Sequence, residues 1–535
     1  MLPLVLLSFL LFLTACGTEV EEKVEVPRAT RGYILISLDT LRADRLGSYG
    51  YEPPTSPFLD RLAAERAVLF EQAWVQYPST LTSHMSMLTG LYPGEHGVYP
   101  PYSFLSKDIP MLPEVFQGAG FRTGAVTEGG FMRGRYGFRR GFEHFQARDR
   151  RKPDDVEKTF ERGLRFLRGL GEEDNFFLFL HTYATHAPYD PPQRLRDLFW
   201  EGEVPENAFF PSGDALTEHN NRGDLLDDDV RDYFNALYDA GIRYLDEVLE
   251  SFFNEVDVMG LMDDITVVIT SDHGEELQDH GRMNHTQLYE EILRVPLLVI
   301  HPDVAPARRS QPVESIDIMP TLLEIAGLPP TPLSGQSLVP QLTGAATPDF
   351  AFSEVKGDAW SLVKHDEEKL LRLLVDEPPA DAWITRRMKL DGTPPEMRFD
   401  IRSYQDQRQV EIRDEEGVLQ VLPIGPEWQS VVLPLEGERR TLFLESPDCT
   451  PQPSESGRTR CLSFQLRGVS RTRAELYDVL GDPAEVNDLS RSLPGSVRAL
   501  YARLGELRER GGVEAETGEL DEKLREELKA LGYLE

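Results

Sequence analysis

The chain has 535 residues, more than one small core requires, so at least two structural units are expected. Its 40% hydrophobic and 27% charged residues are ordinary for a soluble globular protein, and its net charge of −35 comes without any Lys/Arg-rich block. That balance argues against nucleic acid as a partner, because phosphate contacts need clustered cations, and it requires any anion site to be local and metal-assisted.

Residues 1–15 (MLPLVLLSFLLFLTA) are almost wholly apolar but shorter than a membrane span, and read as an export signal peptide. Leu13-Thr14-Ala15-Cys16 resembles a bacterial lipoprotein box, so Cys16 is expected to carry a lipid anchor facing the periplasm or outside. An ordinary cleaved signal is the alternative, since no Lys or Arg precedes the apolar run. Residues 16–30 are polar and acidic and form a tether. From 31 to 345 short apolar runs at 33–38, 121–126, 176–180, 265–270 and 295–300 alternate with amphipathic stretches such as 230–256. Strands alternating with helices predict an α/β fold, a mostly parallel central sheet flanked by helices, with ligands at the carboxyl ends of the strands. A smaller C-terminal subdomain is expected over 346–490, with a β-rich insert at about 395–470 marked by short β-prone runs between Gly, Pro and charged residues. Cys449 and Cys461 flank a Pro/Ser-rich loop; in an exported protein they are read as a disulfide, with free thiols as the alternative. Residues 491–535 return to helix, with Leu520, Leu524, Leu528 and Leu531 on one apolar stripe and Gly532 as a stop.

The polar residues that follow the apolar runs carry the chemistry. Asp39 ends one run in ISLDTLRAD, and Asp272 with His273 ends another in VVITSDHGEE. A carboxylate and a carboxylate–imidazole pair at two strand ends can converge on one cation, or simply cap the following turns.

Together these segments resemble the sulfatase family of the alkaline phosphatase superfamily. The matching stretches are ILISLDTLRADRLGSYGY, SHMSMLTGLYPGEHGV, LHTYATHAPYDPP, TSDHGEELQDHG, LYEEILRVPLLV, SIDIMPTLLEIAGLP and, near the C-terminus, ELYDVLGDPAEVNDLS. The resemblance implies Asp39, Thr80, Asp272 and His273 as the metal set and Thr80 as the nucleophile. That donor set suits a divalent manganese or zinc ion better than calcium, which prefers six to eight oxygens. It also implies His186 at the reacting ester, His285 near the position of a sulfatase lysine and His84 at the motif arginine. Glu128 falls near another sulfate-binding lysine; His280 and Asp190 are weaker candidates. Sulfatases convert a cysteine within C-x-P-x-R to formylglycine. Here the five positions are Thr80, Leu81, Thr82, Ser83 and His84, so no formylglycine is expected. The expected activity is hydrolysis of phosphate mono- or diesters on a small-molecule, glycan or lipid substrate. The alternatives are a sulfuric ester hydrolase, a phosphoethanolamine- or phosphoglycerol-type transferase, and a non-catalytic glycan-binding protein.

Overall fold

The computed structural model describes residues 26–508 and 516–517, apart from residues 102, 148–154, 223–224, 332 and 346–349 and short stretches between 356 and 491. The export signal, Cys16, Cys449 and the leucine stripe at 520–531 lie outside the described residues. Among the described residues no helix is long and apolar enough to cross a membrane.

All five apolar runs become strands of one nine-stranded sheet, as Gly32–Leu38, Arg122–Thr127, Phe176–Thr182, Ile265–Thr270 and Arg294–Ile300. Gly32–Leu38 is central and runs parallel to Phe176–Thr182 on one side and Ile265–Thr270 on the other. Arg122–Thr127 and His144–Ala147 extend the parallel part, and Arg294–Ile300 is antiparallel to Ile265–Thr270. A further strand, Ala67–Trp74, pairs with Arg294–Ile300. Glu71 and Gln72 interrupt its apolar run, which is why it carries no clear sequence signal.

The central strand shows why both sheet faces are covered. Tyr33 and Leu35 enter one hydrophobic cluster, while Ile34, Ile36 and Leu38 enter the other, as the two-residue period of a strand requires. The long Asp228–Val258 helix, read from sequence over 230–256, covers the second cluster.

Beyond residue 349 the strands are antiparallel. Phe350–Val355, Ala359–Asp366, Lys369–Asp376 and Arg473–Asp478 make a four-stranded sheet. Its last two strands are neighbours although nearly a hundred residues separate them, so the β-rich unit is inserted between paired strands. That unit contains two further four-stranded antiparallel sheets and a hairpin, and its strands begin at Trp383, ahead of residue 395. Arg372, fully buried, joins the C-terminal sheet to the main body by pairing with Glu485 and lying over the Trp74 ring at 5.5 Å.

Candidate active site

The carboxyl ends of the parallel strands place the polar residues together. After Leu38 the chain turns at Thr40, whose φ of 59° is left-handed and unusual for a β-branched residue. Two hydrogen bonds hold it there: its Oγ1 donates to the Asp39 carbonyl at 2.7 Å and its N–H to Asp272 Oδ1 at 3.3 Å. The Ile265–Thr270 strand ends similarly in Ser271-Asp272-His273-Gly274. A Cβ on Gly274 would lie 1.8 Å from the Glu291 carbonyl oxygen, so only glycine allows the turn that carries His273. Thr80 opens the Thr80–Thr89 helix, every side chain of which is buried. The helix N-terminus, with its leading N–H groups and positive dipole end, faces the strand ends, where Thr80 Oγ1 lies 3.4 Å from His273 Nε2.

One ligand atom each from Asp39, Asp272 and His273 lies within 4.8 Å of the others, and all three residues are fully buried. The Thr80 hydroxyl hydrogen-bonds the Asp39 carboxylate, and its oxygen is 3.4 Å from His273 Nε2. Burial and the Asp272 charge push the Asp39 carboxyl well above the usual range. Against burial, the imidazoles of His273, His84 and His181 hold Asp272 below it. Among the described residues Asp39 Oδ1 and Asp272 Oδ2 find no hydrogen-bond partner. Two buried carboxylates facing each other with unsatisfied oxygens are costly without a positive charge between them. The His273 ring is ready for the same role. Its Nδ1–H donates to the Gly274 carbonyl at 2.9 Å, which leaves Nε2 as the lone-pair nitrogen. The donor set thus fits a divalent cation, held by Asp39, Asp272 and His273 with Thr80 beside it.

Two further imidazoles line the same space. His186 donates Nδ1–H to the Ala187 carbonyl at 2.7 Å, and burial lowers its pKa to about 3. His285 lies with its ring centroid 4.4 Å from that of His273 and 5.2 Å from that of His186, and burial lowers its pKa to about 4.

His84 is fully buried beside the cluster, with Nδ1 3.5 Å from Asp272 Oδ2. Its Nδ1–H donates to the Thr80 carbonyl at 2.7 Å and its Nε2 accepts from Ser37 at 2.8 Å, so it anchors the start of the helix. Glu128 is buried and accepts hydrogen bonds from Thr159, Thr182 and the Tyr183 N–H, which ties two strand ends to the Asp155–Arg168 helix. His280 pairs with Glu291 and stacks on Tyr289, and Asp190 faces Arg196 at 3.7 Å; neither joins the cluster.

Two site residues escape the sequence reading. His181 Nε2 lies 3.0 Å from Asp39 Oδ2, and Glu275 Oε1 lies 3.0 Å from His285 Nδ1. Burial pushes the Glu275 carboxyl up to about 7. The available signals are a lone imidazole in the run FFLFLHT and an acidic residue directly after DHG.

A family model described as Sulfatase matches residues 31–328. The chain is 28% identical over 268 residues to the multifunctional alkaline phosphatase superfamily protein PehA of Trinickia caryophylli, covering 44% of this chain and half of that protein's length. It is 24% identical over 370 residues to an arylsulfatase of Clostridium perfringens (strain 13 / Type A), covering 57% of this chain and 77% of the other. The fold is similar to that of a phosphonate monoester hydrolase of Agrobacterium radiobacter, with a TM-score of 0.57, 16% identity, and 90% and 95% of the two chains covered.

Proposed function

The chain belongs to the sulfatase family, and we propose that it is a metal-dependent hydrolase that cleaves phosphate mono- or diesters through Thr80. The observation that carries this reading is the convergence of Asp39, Asp272 and His273 within 4.8 Å beside the hydroxyl of a helix-opening threonine. Threonine cannot be converted to an aldehyde hydrate, so the hydroxyl itself must act. Asp39, Asp272 and His273 would hold a divalent cation, manganese or zinc rather than calcium, which would supply charge that lowers the pKa of the neighbouring hydroxyl.

Thr80, its hydroxyl proton lost to solvent, attacks phosphorus in line as the bond from phosphorus to the leaving oxygen breaks, forming a phospho-threonine, and the helix N-terminus stabilises the anionic group. His186 stands at the reacting ester. An anionic substrate beside it favours its protonated form, which donates to the leaving oxygen. Water then releases the product. Export and a lipid anchor at Cys16 complete the reading and rest on residues 1–16 alone.

A sulfuric ester is the second reading, favoured by the likeness to an arylsulfatase. Turnover of nitrophenyl phosphate, bis(nitrophenyl) phosphate and nitrophenyl sulfate, each with Zn²⁺, Mn²⁺ and Ca²⁺, separates the two. Sulfate turnover exceeding both phosphates overturns the substrate assignment, and binding without turnover of any ester favours the glycan-binding alternative.

A further inference from the structure

A threonine nucleophile makes a chemical demand that an aldehyde hydrate does not. A hydrate carries a second hydroxyl on the same carbon, which can expel the bound ester as the carbonyl re-forms. Thr80 has one hydroxyl. Once it is esterified, release needs water to attack the transferred group and a base to take the proton of that water. This demand rests on the reading of Thr80 given above.

We propose that Glu275 and His285 are that base, with His285 Nε2 receiving the proton and Glu275 fixing the ring. Glu275 is wholly buried and its Oε1 accepts from His285 Nδ1 at 3.0 Å. With the proton on Nδ1, the lone pair is on Nε2, and the carboxylate stabilises the imidazolium that forms. His186 differs in that its Nδ1–H meets a neutral backbone carbonyl. His285 also stands in the right place. Its ring lies 4.4 Å from that of His273, whose Nε2 is 3.4 Å from Thr80 Oγ1. It is 9% exposed, against 0% for His273 and 1% for His186, so it is the imidazole of the three that solvent reaches.

In the step itself the water oxygen bonds to phosphorus and the bond from phosphorus to Thr80 Oγ1 breaks. The water proton goes to His285 Nε2 and from there to solvent, and the departing Thr80 oxygen takes up a proton from solvent, which leaves inorganic phosphate (or the monoester, from a diester) and the starting enzyme. Glu275 is a positioning residue in this scheme and His285 a catalytic one.

The test is rapid-quench kinetics with 4-nitrophenyl phosphate and Mn²⁺, read together with intact-mass and peptide-mass analysis of the acid-quenched protein. For His285→Ala a burst of nitrophenol equal to the enzyme concentration is expected, with phosphate on Thr80. Steady turnover should fall about 10²-fold or more while the burst rate changes little. Added imidazole should shorten the life of that phospho-threonine. Glu275→Ala should accumulate the same species, and Glu275→Gln, whose amide oxygen still accepts from Nδ1–H, should recover part of the rate. The burst itself shows that each variant is folded and competent in the first step. No burst, with both steps slowed alike, overturns the assignment of the dyad. Undiminished turnover in Thr80→Ala overturns the nucleophile and the dyad together, so the two failures are told apart by which protein shows them.

Discussion

Two charge clusters, one wholly buried and one built on a buried arginine with partly exposed carboxylates, lie next to each other at the same end of the sheet, and they handle buried charge differently. Arg42, three residues after Asp39, is 3% exposed and pairs with Asp44 and Asp279 at 2.7 and 2.8 Å. It also donates to the Glu275 carbonyl at 3.1 Å. Against burial, its guanidinium holds Asp279 below the usual carboxylate range. Asp39 and Asp272 face imidazoles rather than a guanidinium, each keeps an oxygen without a hydrogen-bond partner among the described residues, and Asp39 is driven the other way. The first cluster is complete within the chain. The second offers a donor set that a cation from outside would complete.

The sharpest way to break the comparison is at the residue that faces the cation cluster without being needed to neutralise it. Thr80→Ala should lower turnover by about 10³-fold or more, as expected for loss of a nucleophile, with cation binding by calorimetry retained within a few-fold. Equal loss of both would mean that Thr80 is a ligand and no more. Asp272→Asn is expected to do the reverse at the first step, weakening Mn²⁺ or Zn²⁺ binding by at least about 10²-fold as measured by calorimetry. Asp279→Asn, in the self-sufficient cluster, should leave cation affinity unchanged. It should cost about 1–3 kcal/mol in urea unfolding, less than a wholly buried pair because Asp279 keeps 33% of its side chain in water.

The same contrast predicts opposite responses to pH. Burial raises Glu275 to about 7 and Glu276 to about 8, and Asp39 is raised as well. A carboxyl with its folded pKa above its unfolded value stabilises fully below the unfolded pKa, and that contribution is lost as pH rises through the folded one. The metal-free protein should therefore lose stability between about pH 5 and pH 8. Asp279, shifted down, contributes fully throughout that window and is lost only at more acid pH. Burial and the Asp272 charge favour the protonated form of Asp39, so a cation competes with that proton, and the gain in Tm on adding Mn²⁺ after EDTA treatment should be larger at pH 8 than at pH 6. The increment is about 1.4 kcal/mol per pH unit for each proton displaced. A gain independent of pH would show that Asp39 is already ionised in the metal-free protein.

Much of this was legible in the sequence because strand ends are legible. The apolar runs before Asp39 and Asp272 stop abruptly at a carboxylate, and parallel topology then forces both to one end of the sheet. Thr80 was visible through the motif around it. Glu128 and His84 were visible as residues but not as roles: their side chains act across 31 to 55 positions of sequence or into the helix base, where no periodicity points. Glu275 was hidden for a similar reason, since its partner His285 sits on a short hairpin whose pairing depends on the Glu276 and Asn284 register. The strand Ala67–Trp74 was missed because two polar side chains interrupt its apolar run.

His181 tests whether the cation cluster needs an orienting partner as the Arg42 cluster has in its backbone carbonyl. The imidazole lies in the Phe176–Thr182 strand, fully buried, with Nε2 3.0 Å from Asp39 Oδ2 and Nδ1 without a hydrogen-bond partner. Donation from Nε2–H fixes the carboxylate so that Oδ1, the unpartnered oxygen, is the one turned to a cation. Losing such a partner costs about 10- to 100-fold in metal affinity, and Gln keeps a donor on a side chain of similar reach. His181→Gln should therefore sit at the low end, with cation affinity down about tenfold and turnover recovered at saturating Mn²⁺. His181→Leu, with no donor, should show the full loss. If His181→Leu binds the cation as the wild type does, the Asp39 carboxylate is oriented without His181, and the two clusters are less alike in design than their shared position suggests.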